Sequence, residues 1–301
     1  MRLIRATVCL IFLVSVVCAC ERLASAGQPQ EAPSETSVAK GNRVVKQVIA
    51  ALGGPAYLTV RDVQCDGRDA TFGTAGTLMG FTLFRDIWVL PDKNRVEYFT
   101  KGEHTIVGFL MGSDELLITH GGAMITVYNG KEGWTLDKSG VSNEPDDLIK
   151  TFNDQLKTDM NYVLRQRINE PGVEAEYAGP DLIDLKEAEW IEFTDRDHRL
   201  MRLGIDKYSH LPLRWVVVTR NPETREKTEV ITSYTQYALN DGVKTPLSIE
   251  LARNDHKISQ TFLSSCKYNS DISSELFTRA ALEQAAKDTG KKGLKESKNA
   301  K

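Results

Sequence analysis

The chain has 301 residues, 41% hydrophobic and 26% charged, with a formal net charge of −3. That length and apolar fraction suffice for a sizeable buried core, and the mild acidity supplies no phosphate-binding field. The basic concentration Lys291, Lys292, Lys295, Lys298 and Lys301 lies in a tail almost without apolar residues, so nucleic acid is not an expected partner.

Residues 1–26 read as a secretory signal peptide. Arg2 and Arg5 precede the apolar run Leu10 to Val17, too short to span a bilayer, and Ala24-Ser25-Ala26 supplies the small residues of a cleavage site. The expected compartment is the periplasm. A second processing route stays open, because Val17-Cys18-Ala19-Cys20 approximates a lipobox, and lipidation of Cys20 would make a membrane-anchored lipoprotein. Past this segment Cys65 and Cys266 remain, compatible with one disulfide between an early and a late strand or with two buried thiols.

Residues 27–37 form a polar linker, and a single domain is expected over 38–286. Val38, Val45, Val48, Ile49 and Leu52 share one helical face, and Gly53-Gly54-Pro55 ends that helix. From Val60 the period changes, giving strands near 60–67, 76–90, 94–101, 104–110, 115–120, 123–129 and 133–138. Turn residues separate them, among them Asn129-Gly130, where both positions tolerate the φ > 0 of a type I′ hairpin. With no crossover helix between them, these strands form an antiparallel meander. Leu148, Ile149, Phe152, Leu156, Met160, Val163, Leu164 and Ile168 then recur at spacings of three and four, which predicts one long helix or two in tandem over 143–169. Strands resume near 173–179, 187–195, 198–206, 213–220, 226–238, 244–253 and 256–268. A last helix is expected over 272–286, before a basic tail at 287–301.

Four motifs carry a family resemblance: Tyr128-Asn-Gly-Lys-Glu-Gly-Trp134, His210-Leu-Pro-Leu-Arg-Trp215, Asp241-Gly-Val-Lys-Thr-Pro246, and Tyr268-Asn269 through Leu276-Phe277. In this order and spacing they resemble the LolA/LolB-like proteins, periplasmic carriers and outer-membrane receptors of lipoproteins, over roughly Val38 to Arg279. The resemblance implies a mainly β (α+β) fold: a strongly curved antiparallel sheet or half-barrel with a helical lid inserted mid-sequence, plus N-terminal and C-terminal helices. It implies a non-enzymatic module for lipid, a lipoprotein acyl chain or another apolar ligand, with no cofactor. It also implies an arginine holding the lid, for which Arg85, Arg95, Arg165 and Arg167 are candidates. A packed structural or interaction protein without a ligand is the alternative.

Strands alternate faces, so Phe81 and Leu83 point opposite to Phe84 and Trp88, and periodicity does not say which set meets the lid. The expected apolar lining is Phe81, Leu83, Phe99, Trp134, Phe152, Leu156 and Trp215. Gly108 to Gly122 reads as an extra hairpin whose tip, Phe109, Leu110 and Met111, either folds onto the sheet edge as core or makes a peripheral contact with a membrane or acyl chains. No nucleophile elbow, zincin, P-loop or dinucleotide motif occurs, and His104, His120, His198, His210 and His256 have no metal-ligand spacing, so neither enzyme chemistry nor a metal is expected. Asp195, Asp197 and His198 read as a turn.

Overall fold

The computed structural model describes residues 35–107, 116–220 and 223–288, with 100–107 and 116–123 described through their backbone alone. The signal peptide, Cys20, most of the linker, the tip residues Phe109, Leu110 and Met111, and the basic tail lie outside the described residues.

Thirteen antiparallel strands form one open sheet in the order β6-β5-β4-β3-β2-β1-β13-β12-β11-β10-β9-β8-β7. The first half comprises β1 (Asp62–Phe72), β2 (Leu78–Val89), β3 (Lys93–Val107), β4 (Leu116–Asn129), β5 (Glu132–Asp137) and β6 (Gly140–Asn143). The second comprises β7 (Glu174–Ile183), β8 (Lys186–Thr194), β9 (Leu200–Asp206), β10 (Pro212–Arg220), β11 (Lys227–Asn240), β12 (Val243–Arg253) and β13 (His256–Tyr268). The halves meet where β1 pairs with β13, and there Cys65 faces Cys266 in register and is joined to it by a disulfide. The sheet is curved and not closed, in keeping with the expected half-barrel.

Two sequence breaks are absorbed rather than obeyed. Lys101-Gly102 and Gly121-Gly122 do not end strands: β3 and β4 run through them as one long ladder with a register shift between Thr100 and Glu103. Glycine inside a strand commonly marks such an irregularity. The β4–β5 turn is Gly130-Lys131, with Asn129 still paired to Glu132 and positive φ (63°) at Gly130, matching a type II′ turn rather than I′. Asn129 instead donates its side-chain amide to the Phe277 carbonyl at 3.1 Å.

The helices cover the two faces unequally. Helix α1 (Ser37–Leu52) buries Val44, Val45, Val48 and Leu52 against the concave side of the second half, each such side chain contributing about 1.5–3 kcal/mol. Its approach to β7 is so close that a Cβ on Gly41 would lie 2.3 Å from the Ala175 carbonyl oxygen. Val38, expected on this face, is exposed. A short turn, α2 (Pro55–Leu58), follows and buries Tyr57. The mid-sequence insertion is α3 (Asp146–Leu156), then α4 (Met160–Tyr162), which continues as a π-helical turn, Val163–Arg167. On the outer face a 3-10 turn, Ser274–Phe277, and a helix at 279–288 press Phe277 and Leu282 onto Ile87, Ile125, Val127 and Leu136.

Candidate functional site

The inner face is set by the pleat. On β2 the residues facing the insertion are Thr82, Phe84, Asp86 and Trp88; their partners on β3 are Tyr98, Val96 and Asn94, and on β4 Tyr128 continues the set. Phe152 of α3 stacks on Tyr128 with ring centroids 4.3 Å apart, and Trp88 lies 5.9 Å from Phe152 on another side. The lid is also held by polar ties. Asn153 donates to the Gly130 carbonyl at 2.9 Å, and Trp215 Nε1 of β10 donates to the Thr158 carbonyl at 2.9 Å.

Beneath this lid lies a groove of about 920 Å³, within the roughly 300–1,000 Å³ usual for ligand sites. Its walls include Phe152 and Leu156 from the lid and Trp215, Val217, Val230 and Leu251 from the second half of the sheet. A smaller chamber of about 190 Å³ adjoins it, walled by Phe84, Val96, Tyr98, Leu263 and the tyrosines 57, 234, 237 and 268. Both spaces touch Asp86, Trp88, Asn161, Arg165 and Tyr234, which therefore form the junction.

Of the residues expected to line such a cavity, Phe152, Leu156 and Trp215 come together in the groove. Phe81, Leu83 and Phe99 do not: they lie on the outer face, 50%, 60% and 45% exposed, because the register turns Thr82, Phe84 and Trp88 inward. Trp134 is opposite Val127 and packs under the C-terminal helix, also on the outer side. Aromatic pattern pointed to both faces equally; only the long-range pairing distinguishes them.

The four candidate lid arginines also separate. Arg85 pairs with Asp66 at 2.8 Å, and Arg95 with Glu97 at 2.7 Å and with the Leu276 carbonyl, all on the outer face. Arg167 ties the insertion to the β8–β9 turn. Its guanidinium donates to Asp195 at 3.1 Å, to Glu170 at 3.1 Å and to the Lys157 carbonyl. Asp195 also accepts from Arg199 at 2.9 Å and from the backbone N–H groups of Asp197 and Arg199, so this turn is a buried anchor rather than a reactive cluster. Burial alone would raise the Asp195 pKa; the N–H of Arg199, its guanidinium and then Arg167 outweigh it and hold the carboxyl below its ordinary value. Arg165 instead points into the junction, its guanidinium carbon 4.2 Å from the Tyr57 ring centroid.

The cavity is not wholly apolar. Burial pushes Asp69 up to about 6, against the hydrogen bond donated by Thr261. Asp86 touches the cavity space but is enclosed by protein elsewhere, and that enclosure pushes it up to about 6 against hydrogen bonds from Trp88 Nε1 and Asn94. Asp69, Asp86 and Arg165 were missed as cavity residues, since single charges on strands and helices carry no sequence mark of the side they face. Among the described residues no three His, Cys, Asp or Glu side chains are grouped to hold a metal, and no helix is long and apolar enough to cross a membrane.

No family model matches the sequence, and no curated protein does. Solved structures do match. A DUF1329 family protein from Desulfovibrio piger ATCC 29098 superposes with a TM-score of 0.53 at 12% identity, covering 82% of this chain and 99% of that one. The chain shares the fold of that DUF1329 family protein. Lower scores accompany an outer membrane lipoprotein-sorting protein domain from Vibrio parahaemolyticus (TM-score 0.48, 10% identity, 81% and 98% covered). The same holds for a LolA superfamily protein from Nitrosomonas europaea (0.47, 12%, 80% and 99%). At such identities the likeness establishes the architecture of this chain and leaves its ligand to the chemistry of the groove.

Proposed function

We propose that this LolA-like chain is a non-enzymatic carrier or receptor of the bacterial envelope that holds an acyl chain or comparable apolar ligand in the groove beneath its lid. The observation that carries this reading is the unfilled concave face: Trp215, Val217, Val230 and Leu251 meet a space of about 920 Å³ beneath the insertion. Apolar walls of that area gain roughly 25 cal/mol for each Å² withdrawn from water, so an apolar occupant is the one whose burial is favourable. Export follows from the segment 1–26, and acylation of Cys20 would keep the protein at a membrane.

The reading is tested on protein purified from its native envelope under non-denaturing conditions, followed by solvent extraction and mass spectrometry. Stoichiometric lipid or acylated peptide supports it. Lipid-free protein that also fails to take up a neutral lipophilic dye contradicts it and favours a packed interaction protein.

A further inference from the structure

The junction of the two spaces holds a cation, Arg165, with an unpartnered donor. The Nε of Arg165 is buried and has no hydrogen-bond partner among the described residues. Its contrast with Arg167, two positions along the same π-helical turn, is sharp: that residue is tied to Asp195, Glu170 and the Lys157 carbonyl. A second orphaned atom, Gln155 Oε1, also belongs to the groove wall. A guanidinium Nε shut away from water and left without an acceptor is costly, and a ligand in the groove can supply that acceptor.

The surrounding acids do not fill that role. Asp86 already accepts from Trp88 and Asn94, and burial disfavours its charge. Asp159 feels the charge of Arg165, but it is spent on capping α4, where it accepts the Tyr162 N–H at 2.8 Å, and enclosure by protein disfavours its charge and raises its pKa. The Tyr57 hydroxyl is spent on Asn161 Oδ1 at 3.1 Å, leaving its ring face to the guanidinium.

We infer that Arg165 receives the head of a long-chain carboxylate, with the hydrocarbon chain lying along Phe152, Trp215, Val217, Val230 and Leu251. This rests on the proposed carrier function and narrows its ligand from any apolar molecule to a single-chain acid. The planar guanidinium matches a carboxylate with two parallel N–H···O bonds, which are stronger than neutral ones. An alcohol or ester of the same chain offers the groove equal apolar surface but no charge for Arg165.

The test uses the whole chain and measures displacement of the neutral dye N-phenyl-1-naphthylamine by hexadecanoate and by hexadecanol at pH 8, above the raised pKa values of about 6 of Asp69 and Asp86. The wild type is expected to bind hexadecanoate about ten- to hundredfold more tightly. Arg165→Gln brings the two ligands to about equal affinity without weakening hexadecanol, and Arg165→Lys keeps part of the preference. Should the glutamine variant fold poorly, the wild-type ratio and the lysine variant decide. Equal binding of the two ligands by the wild type, or a preference unchanged in Arg165→Gln, overturns the carboxylate assignment alone. Binding of neither ligand nor dye overturns the groove reading itself, and this inference with it.

Discussion

The two halves of the concave face are built from the same kind of antiparallel strand yet end differently. Over β7–β9 the face is closed by α1, and Val44, Val48, Ile191, Phe193, Met201, Leu203 and Ile205 are fully buried in one continuous cluster. Between β1–β3 and β10–β12 the cover is the thinner insertion, and the face keeps Asp69, Asp86, Arg165 and several tyrosines around open space. Helix α1 can approach because Gly41 removes the side chain that would strike β7; the insertion is anchored at its far end by Met160, Val163, Leu164 and the Arg167–Asp195 pair, while α3 is held by a stacked Phe152 and a single hydrogen bond from Asn153. A sheet wider than its helices can cover thus has a dry half that supplies stability and a roofed half that supplies a site.

The largest way to break the comparison is to cut the seam between the halves. The Cys65–Cys266 bridge spans 201 residues of sequence, and in the chain-entropy model its removal costs roughly 5 kcal/mol. Calorimetry of a double Cys→Ala variant should show a fall in Tm of many degrees with both halves melting together. Next, Phe193→Ala in the dry half should cost about 3–5 kcal/mol in chemical denaturation, against under about 1 kcal/mol for Val230→Ala on the groove wall, where the lost methyls already border open space.

A smaller effect is pH-dependent. Asp69 is protonated more readily folded than unfolded, its pKa rising from 3.8 to about 6, so the native state holds the extra proton between those values. Its stabilising contribution is therefore complete below about pH 4 and lost as pH rises through about 6, on the order of 3 kcal/mol in all. Asp69→Asn, which still accepts from Thr261, should flatten that decline when unfolding is followed from pH 4 to 7. The smallest effect concerns the outer face: Phe81→Ser and Leu83→Ser should each change stability by no more than about 0.5 kcal/mol, since both side chains are already in water.

Much of this architecture was legible in the sequence because period and punctuation are local. The strands of the second half, the helix starting at Ser37 and the tandem insertion all follow from alternation, threefold and fourfold spacing, and turn residues. Facing was not legible. A strand such as Phe81-Thr-Leu-Phe-Arg-Asp-Ile-Trp88 has bulky residues on both sides, and the outer side of β3 and β4 is itself buried under Phe277 and Leu282, whose contact with Ile87 and Val127 joins distant sequence. The lid arginines show the same limit. Arg165 and Arg167 differ by two positions on a π-helical turn, and that turn, invisible to a 3.6-residue pattern, sends one to Asp195 and the other over Tyr57.

The four tryptophans allow the central claim to be measured from inside the molecule. Trp88 and Trp215 line the groove, whereas Trp134 packs beneath the C-terminal helix and Trp190 sits on the outer face against Ile183 and Val216. Single-tryptophan proteins keeping Trp215 or Trp190, with the others changed to Phe, can be titrated with an acyl chain brominated along its length, which quenches indole only on contact. An occupied groove predicts saturable quenching of Trp215 at one chain per protein and none of Trp190. Equal quenching of the two, or none of Trp215 up to the solubility of the ligand, would contradict it.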